Sequence, residues 1–145
     1  MKTKTIKLFL RISIGFGFLS AVADRFGIWS KEVSAWGNWD SFVSYTQSLN
    51  PIIPPSLIFL IAGAATFLEI IFGICLIIGF KTSLIAKLSG WLLLVFALAM
   101  TFTKGIKAPL DASVFAASAA AFSLALIKDK FLEIDLLKRK PHFKY

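Results

Sequence analysis

The chain has 145 residues, of which 57% are hydrophobic, and its mean hydropathy is +0.78. This apolar content exceeds that of a soluble domain of the same length, and the length allows one compact unit with about four membrane-spanning helices. A net charge of +8 is also typical of nucleic-acid-binding proteins. Here the bases lie at the ends of apolar segments, so we interpret them as topology signals and lipid-headgroup contacts, with the bilayer and not nucleic acid as the partner.

The first predicted span covers residues 8–29 and places charged side chains inside an apolar segment. Its small and polar residues fall on two neighbouring helical stripes. One stripe contains Ser13, Gly17, Ala21 and Asp24, and the other contains Arg11, Gly15, Val22 and Arg25. Because small residues let helix backbones approach closely, we expect both stripes to face the bundle. An alternative is a secretory signal ending in Ala21-Val22-Ala23, but Arg11 interrupts the apolar part that such a signal requires.

The long connection over residues 25–56 is rich in aromatic side chains. These are Trp29, Trp36, Trp39, Phe42 and Tyr45. Asp40 is the predicted N-cap of a short helix over residues 41–49, outside the cytoplasm. The ordinary expectation for the aromatic residues is a belt at the headgroup level. A lid over a cavity between the helices, or a docking face for a partner, is the alternative.

The second predicted span, residues 57–80, carries Glu69 almost at its middle. A carboxylate near the bilayer centre costs about 3 kcal/mol or more unless it is paired, protonated or hydrated. Helical spacing places it on one stripe with Ala62, Thr66 and Gly73. At about 1.5 Å per residue, Arg25 lies nearer the outside and Arg11 nearer the cytoplasm, and the long side chain of either one can reach Glu69. The lone Cys75 of this span is predicted to be a buried packing thiol.

Two interpretations of Glu69 follow from this placement. It is either one member of a structural ion pair that fixes helix register, or the end of a polar pocket open to the outside. We favour the pocket, because Glu69 is offset in depth from every base. The candidate residues of this polar pocket are Glu69, Arg25, Asp24, Arg11, Thr66 and Asp111. Asp111 belongs with the outer group as the predicted N-cap of the fourth span.

The third and fourth predicted spans cover residues 84–102 and 112–127. Small and polar residues of the third form a stripe expected to face the bundle: Ser83, Lys87, Gly90, Ala97 and Thr101. The fourth is rich in alanine and serine, so we expect it to be the most enclosed helix or to pack against another subunit. The basic tail, residues 128–145, is predicted to continue this helix along the inner surface, where Lys138-Arg139-Lys140 meets anionic lipid. The lone His142 in that tail does not indicate a metal site.

The distribution of bases predicts the orientation. Twelve of the sixteen lysines and arginines lie near the chain ends or the turn at residues 81–87. Four lie on the other side: Arg25, Lys31, Lys104 and Lys107. The positive-inside rule therefore places both termini in the cytoplasm.

Short motifs throughout the chain resemble the DoxX family of small four-helix bacterial membrane proteins. Those motifs are Arg11-x-x-x-Gly15-Phe16-Gly17-Phe18-Leu19, Asp24-Arg25-Phe26-Gly27, Thr66-x-x-Glu69-x-x-x-Gly73-x-x-Leu76-x-x-Gly79 and Asp111-Ala112-Ser113. The resemblance implies a single transmembrane domain over residues 1–145: an all-α integral four-helix bundle with a short extracytoplasmic helix between the first two spans. It also implies a bacterial inner-membrane location.

For function, the resemblance implies an accessory or quinone-binding subunit of a redox-linked membrane complex. Other membrane subunits or further copies of the chain are the partners this predicts, and quinone is the cofactor. The sequence contains no self-sufficient catalytic motif, haem-binding histidine pair or cysteine pair, so we do not expect an enzyme acting alone. The alternatives are a carrier of a small molecule and a structural assembly factor without a ligand.

Overall fold

The computed structural model describes residues 2–136, and every regular element in that range is helical. The elements are α1 (Thr3–Arg25), α2 (Trp39–Leu49), α3 (Pro55–Ile78), α4 (Thr82–Lys104), α5 (Lys107–Asp111) and α6 (Val114–Leu126), followed by a 3-10 turn, Ile134–Leu136. The all-α prediction is confirmed. The short loop helix is α2, but Asp40 is not its cap. The side chain of Asn38 accepts a hydrogen bond from the Ser41 amide at 2.8 Å and caps the helix instead.

Three helices have the length and apolar character of a bilayer span. α1, α3 and α4 contain 23, 24 and 23 residues, and each is long and apolar enough to cross a membrane. They match the first three predicted spans. α1 ends at Arg25 although the apolar run continues to Trp29, because the chain turns at Gly27, where φ is +69°.

The predicted fourth span is a shorter apolar helix than expected. α6 has 13 residues, about 20 Å at 1.5 Å per residue, whereas the hydrocarbon core of a bilayer is about 30 Å thick. It begins late because Ser113 adopts a left-handed conformation with φ +56°, and helical geometry ends at Ile127.

α1 packs against α3 where two glycines meet. A Cβ atom added to Gly15 would lie 3.0 Å from the Gly73 carbonyl oxygen, and one added to Gly73 would lie 3.1 Å from the Gly15 oxygen. Only small residues permit such an approach. The stripe of α1 that contains Gly15 is therefore buried, as predicted. Of the neighbouring stripe, Ser13 and Gly17 are exposed and only Asp24 is buried, because α1 meets the other helices on one side; an added Cβ on Gly17 would meet nothing within 4 Å.

α4 packs against α6 in a similar way. A Cβ atom on Gly90 would lie 2.8 Å from the ring of Phe122, and Ser118 Oγ donates to the Gly90 oxygen at 2.8 Å. The prediction that the fourth helix is the most enclosed is wrong, because only one face of α6 is buried. That face consists of Ser118, Ala121, Leu124 and Ala125. On α4, Gly90 and Ala97 face the bundle as expected, whereas Lys87 is exposed.

The segment after α6 folds back under the bundle. The prediction of a continuing helix is wrong for residues 127–133, because Arg11 and Lys7 of α1 bind backbone oxygens of this segment. The Phe131 oxygen accepts from Arg11 Nη1 at 2.8 Å, and the Asp129 oxygen accepts from Lys7 Nζ at 2.7 Å. The rest of the predicted basic tail, including Lys138-Arg139-Lys140 and His142, lies outside the described residues.

Candidate functional site

Glu69 forms a buried ion pair with Arg25. Glu69 Oε2 lies 2.5 Å from Arg25 Nη1, and each side chain is only 3% exposed. The same Arg25 Nη1 donates to Thr66 Oγ1 at 2.7 Å, and Thr66 Oγ1 in turn donates to the Ala62 oxygen at 2.8 Å. The structure thus brings three of the six predicted polar-pocket residues into one centre, at the junction of α1 and α3.

This ion pair corrects one expectation. The offset in depth between Glu69 and the bases led us to favour a polar pocket over a tight ion pair, although the Arg25 side chain was within reach; the structure shows the tight pair. Arg25 is the last residue of α1, and its long side chain points inward, where it reaches the middle of α3. Such a chain covers several ångströms along the bundle axis, so the offset does not separate the charges.

Two aromatic rings from the connection between α1 and α3 cover the Arg25 guanidinium. Its Cζ atom lies 3.8 Å from the ring centroid of Phe42 and 5.4 Å from that of Trp36. These two rings pack edge to face, with centroids 5.1 Å apart. A desolvated cation over an aromatic face is stabilised by about 2 kcal/mol. For Trp36 and Phe42 the lid alternative therefore describes the structure better than a headgroup belt, whereas Trp29 remains half-exposed.

The Asp24 carboxylate, near the end of α1, binds the loop segment that carries Trp36. Its Oδ2 atom accepts from the amides of Ala35 and Trp36 at 2.9 and 3.0 Å, and its Oδ1 atom accepts from Ser34 Oγ. Asp24 is buried, but it is turned towards the loop and not towards Glu69. Its role in the structure is to hold the backbone that carries Trp36 over the ion pair.

Tyr45 connects the lid to α4. Its ring lies 5.8 Å from Trp36, and Lys104 Nζ lies 5.2 Å from the ring centroid. Burial raises the pKa of the Tyr45 phenol, so the ring stays neutral and can accept the lysine over its face. The loop is therefore anchored on α1 through Asp24 and on α4 through this contact.

An apolar crevice lies beside the ion pair on the surface of α3. Its volume is about 360 Å³, and its lining residues are Phe26, Trp39, Gly63, Thr66, Phe67 and Ile70. Phe26 and Trp39 are stacked, with their planes 9° apart and their centroids separated by 6.0 Å. Phe67 is 62% exposed, so the crevice opens on the face that α3 presents to lipid. Thr66 belongs both to this crevice and to the Arg25–Glu69 centre.

Arg11 lies at the opposite end of the bundle and is no partner of Glu69. Its Nε and Nη2 atoms donate to the oxygens of Leu76 and Ile77, both at 2.9 Å. These are carbonyls of the last turn of α3, which have no partner within the helix. A Cβ atom on Gly79 would lie 2.6 Å from Arg11 Nη2, so the left-handed glycine that ends α3 also makes room for this guanidinium.

Sequence reasoning missed a second buried ion pair at that end. Lys7 Nζ lies 2.6 Å from Glu133 Oε1, with side chains 4% and 1% exposed. The available signal was the spacing of Lys7 and Arg11, which places two bases on one face of α1 one turn apart. Nothing in the local sequence pairs that face with Glu133.

Asp111 is separate from both centres. It is the last residue of α5 and not the N-cap of α6, and its exposed side chain pairs with Lys107 one turn earlier. The structure therefore places it at the surface, away from the Arg25–Glu69 pair.

Residues 2–136 contain no group of three His, Cys, Asp or Glu side chains that could hold a metal ion. Cys75 packs against the hydrophobic core as predicted, but it is only partly buried. Comparison with protein-family models, with curated proteins and with solved structures gives no match for this chain.

Proposed function

We propose that this multi-pass membrane protein is a DoxX-like accessory subunit of a redox-linked complex in a bacterial inner membrane, and that it holds a quinone-type ligand. The supporting observation is the crevice beside Thr66. It combines an apolar wall with a stacked aromatic pair, and Thr66 is the one residue with a polar side chain among those that line it, apart from the indole of Trp39. Small-molecule sites generally have this composition, with few polar groups among apolar ones.

The crevice suits an amphipathic molecule with a flat head and an apolar tail. Its opening on the lipid-facing side of α3 lets such a molecule enter from the bilayer. A quinone carbonyl can accept a hydrogen bond from Thr66, whose hydroxyl otherwise donates to the Ala62 oxygen within its own helix. That internal bond is readily exchanged, because the Ala62 oxygen belongs to the helical hydrogen-bond ladder. Phe26 and Trp39 supply aromatic surface for the ring.

The alternative of a structural assembly factor without a ligand is favoured by a different observation. Glu69 is neutralised by Arg25, and two rings of the lid cover the guanidinium. A carboxylate held in this way fixes the helices and the outer loop whether or not a ligand binds. A carrier would instead need a path past Glu69, and the ion pair and lid occupy that position.

Filling the crevice tests the proposal. Gly63 lines it, and an added Cβ there meets nothing within 4 Å, so Gly63→Leu fits without displacing the helices. Gly17→Leu is the matched control, since Gly17 is equally open but lies on the lipid-facing side of α1. Each protein is purified from native membranes, and the copurifying quinones and proteins are measured by mass spectrometry.

We expect quinone to copurify with the unmodified chain and with Gly17→Leu, and to fall at least tenfold in Gly63→Leu, while partner proteins are retained by all three. Equal quinone in both variants would contradict the assignment of the crevice. If no quinone copurifies and the partners persist, the assembly-factor alternative replaces the ligand-binding proposal.

A further inference from the structure

A second cavity, of about 430 Å³, opens at the end of the bundle opposite the aromatic lid. It is bounded by the start of α4, the end of α6 and the segment that folds back beneath them. Among its lining residues are Lys81, Thr82, Ser83, Lys128, Lys130 and Glu133. This basic-end cavity has no part in the proposed quinone site, and its volume is within the range of small-molecule sites.

The N-terminus of α4 forms one wall of the cavity. The first amides of a helix have no partner within it, and here the N-cap residue Lys81 makes no side-chain cap hydrogen bond. The first helical bond of this turn runs from the Ile85 amide to the Lys81 oxygen. A helix of 23 residues also carries a partial positive charge at this end, which favours anions.

The side chain of Thr82 provides an observation that is independent of the helix N-terminus. The residue is 2% exposed, it lines the cavity, and its Oγ1 atom is buried with no hydrogen-bond partner among the described residues. Buried hydroxyls in proteins are ordinarily hydrogen-bonded. The neighbouring Ser83 shows the usual arrangement, since its Oγ atom donates to the Ala125 oxygen at 2.7 Å. Thr82, one of the residues that line the cavity, therefore has a hydroxyl with no partner among the described residues.

The charges around the cavity favour an anion. Two carboxylates line it: Glu133, which is paired with Lys7 at 2.6 Å, and Asp135. The three remaining bases of the lining are Lys81, Lys128 and Lys130. Within residues 2–136, none of their ammonium groups is in an ion pair. Among the lining residues without an ion pair in the described part of the chain, three lysines thus outnumber one carboxylate, Asp135.

We infer that the basic-end cavity binds a phosphate group. The first amides of α4 and the Thr82 hydroxyl donate to its oxygens, and the lysines balance its charge. The predicted cytoplasmic position of this end gives two sources of the same chemistry, an anionic phospholipid headgroup and a soluble phosphate. The binding chemistry on the protein is common to both.

The test is a titration of the purified full-length chain in detergent, followed by native mass spectrometry. The probes are dioleoylphosphatidylglycerol and inorganic phosphate, with zwitterionic dioleoylphosphatidylcholine as the lipid control. The variants are Thr82→Val, Thr82→Ser and Lys81→Gln. Lys4→Gln is the matched control, because it removes one exposed charge at the same end without lining the cavity.

We expect phosphatidylglycerol to bind in preference to phosphatidylcholine. Thr82→Val should weaken this binding about tenfold, and Thr82→Ser should retain it, because serine keeps the hydroxyl. Lys81→Gln should weaken it about fivefold, and Lys4→Gln by less than twofold. Displacement of the lipid by inorganic phosphate would identify a site open to soluble phosphate, and binding of lipid without displacement would identify a headgroup site.

Thermal unfolding by circular dichroism establishes that each variant is folded. Should Thr82→Val fail to fold, the comparison of Lys81→Gln with Lys4→Gln decides the question alone. Binding of neither probe would overturn the inference. Equal weakening by Lys81→Gln and Lys4→Gln would also overturn it, because the attraction would then come from the general positive charge of this end.

Discussion

Removing one member of the Arg25–Glu69 pair should destabilise the protein far more than removing both. A single change leaves an uncompensated charge at a site where each side chain is 3% exposed, and this costs about 3–5 kcal/mol. Arg25→Gln should cost more than Glu69→Gln, since it also removes the guanidinium 3.8 Å from the Phe42 ring centroid, worth about 2 kcal/mol. In the double variant no buried charge remains. We therefore expect the double variant to be destabilised by about 2 kcal/mol, the lost contact with the Phe42 ring, which is less than either single change costs and well below their sum.

Reversible unfolding in mixed micelles measures this coupling energy. Tryptophan fluorescence is a suitable signal, because Trp36 lies over the ion pair and loses this environment on unfolding. The exposed pair Lys107–Asp111 supplies the control cycle, Lys107→Gln with Asp111→Asn, for which coupling of less than about 0.5 kcal/mol is expected. A coupling energy for Arg25–Glu69 no larger than that of the control would refute the reasoning.

The same double variant also tests what the carboxylate does. Where Glu69 only fixes the helices, the double variant recovers both folding and the copurification of partners and quinone. Where Glu69 contributes to ligand binding, the double variant folds but binds no quinone, because the carboxylate itself is required.

Three further predictions concern other parts of the molecule. Gly79→Ala should destabilise by about 3 kcal/mol or more, because φ is +74° and an added Cβ lies 2.6 Å from a guanidinium nitrogen. Gly17→Ala, on a helix and with nothing within 4 Å of the added Cβ, should not destabilise in the same unfolding assay. Cys75→Ala should leave the copurification of partners unchanged, and its loss would reveal a role for the thiol beyond packing. In that background, a membrane-impermeant thiol reagent should label Ser41→Cys but not Ser83→Cys in intact cells, and the reverse pattern would invert the predicted topology.

The sequence predicted the helices and the residues of the polar centre better than the contacts between them. Apolar runs of bilayer length marked α1, α3 and α4, and the cost of an intramembrane carboxylate singled out Glu69. The positions of the residues along the membrane normal allowed either Arg11 or Arg25 to be the partner of Glu69. The choice depended on where the last turn of α3 ends, since its open carbonyls bind Arg11 and leave Arg25 for Glu69.

The loop and the returning segment were harder to predict for a different reason. Trp36 and Phe42 cover the guanidinium because Asp24 holds the loop backbone through amides of residues 35 and 36. Such contacts join side chains to backbone groups, and no spacing in the sequence encodes them. The ion pair of Lys7 with Glu133 is similarly non-local, because it requires the chain to reverse after α6.

The adjacent residues Asp24 and Arg25 link the position of the aromatic loop to the packing of α1 against α3. The first side chain holds the loop, and the second holds α3. A shift of α1 by one residue would rotate both groups by about 100° and lose both sets of contacts together. The two adjacent charges therefore tie the position of the aromatic loop to the register of α1 against α3.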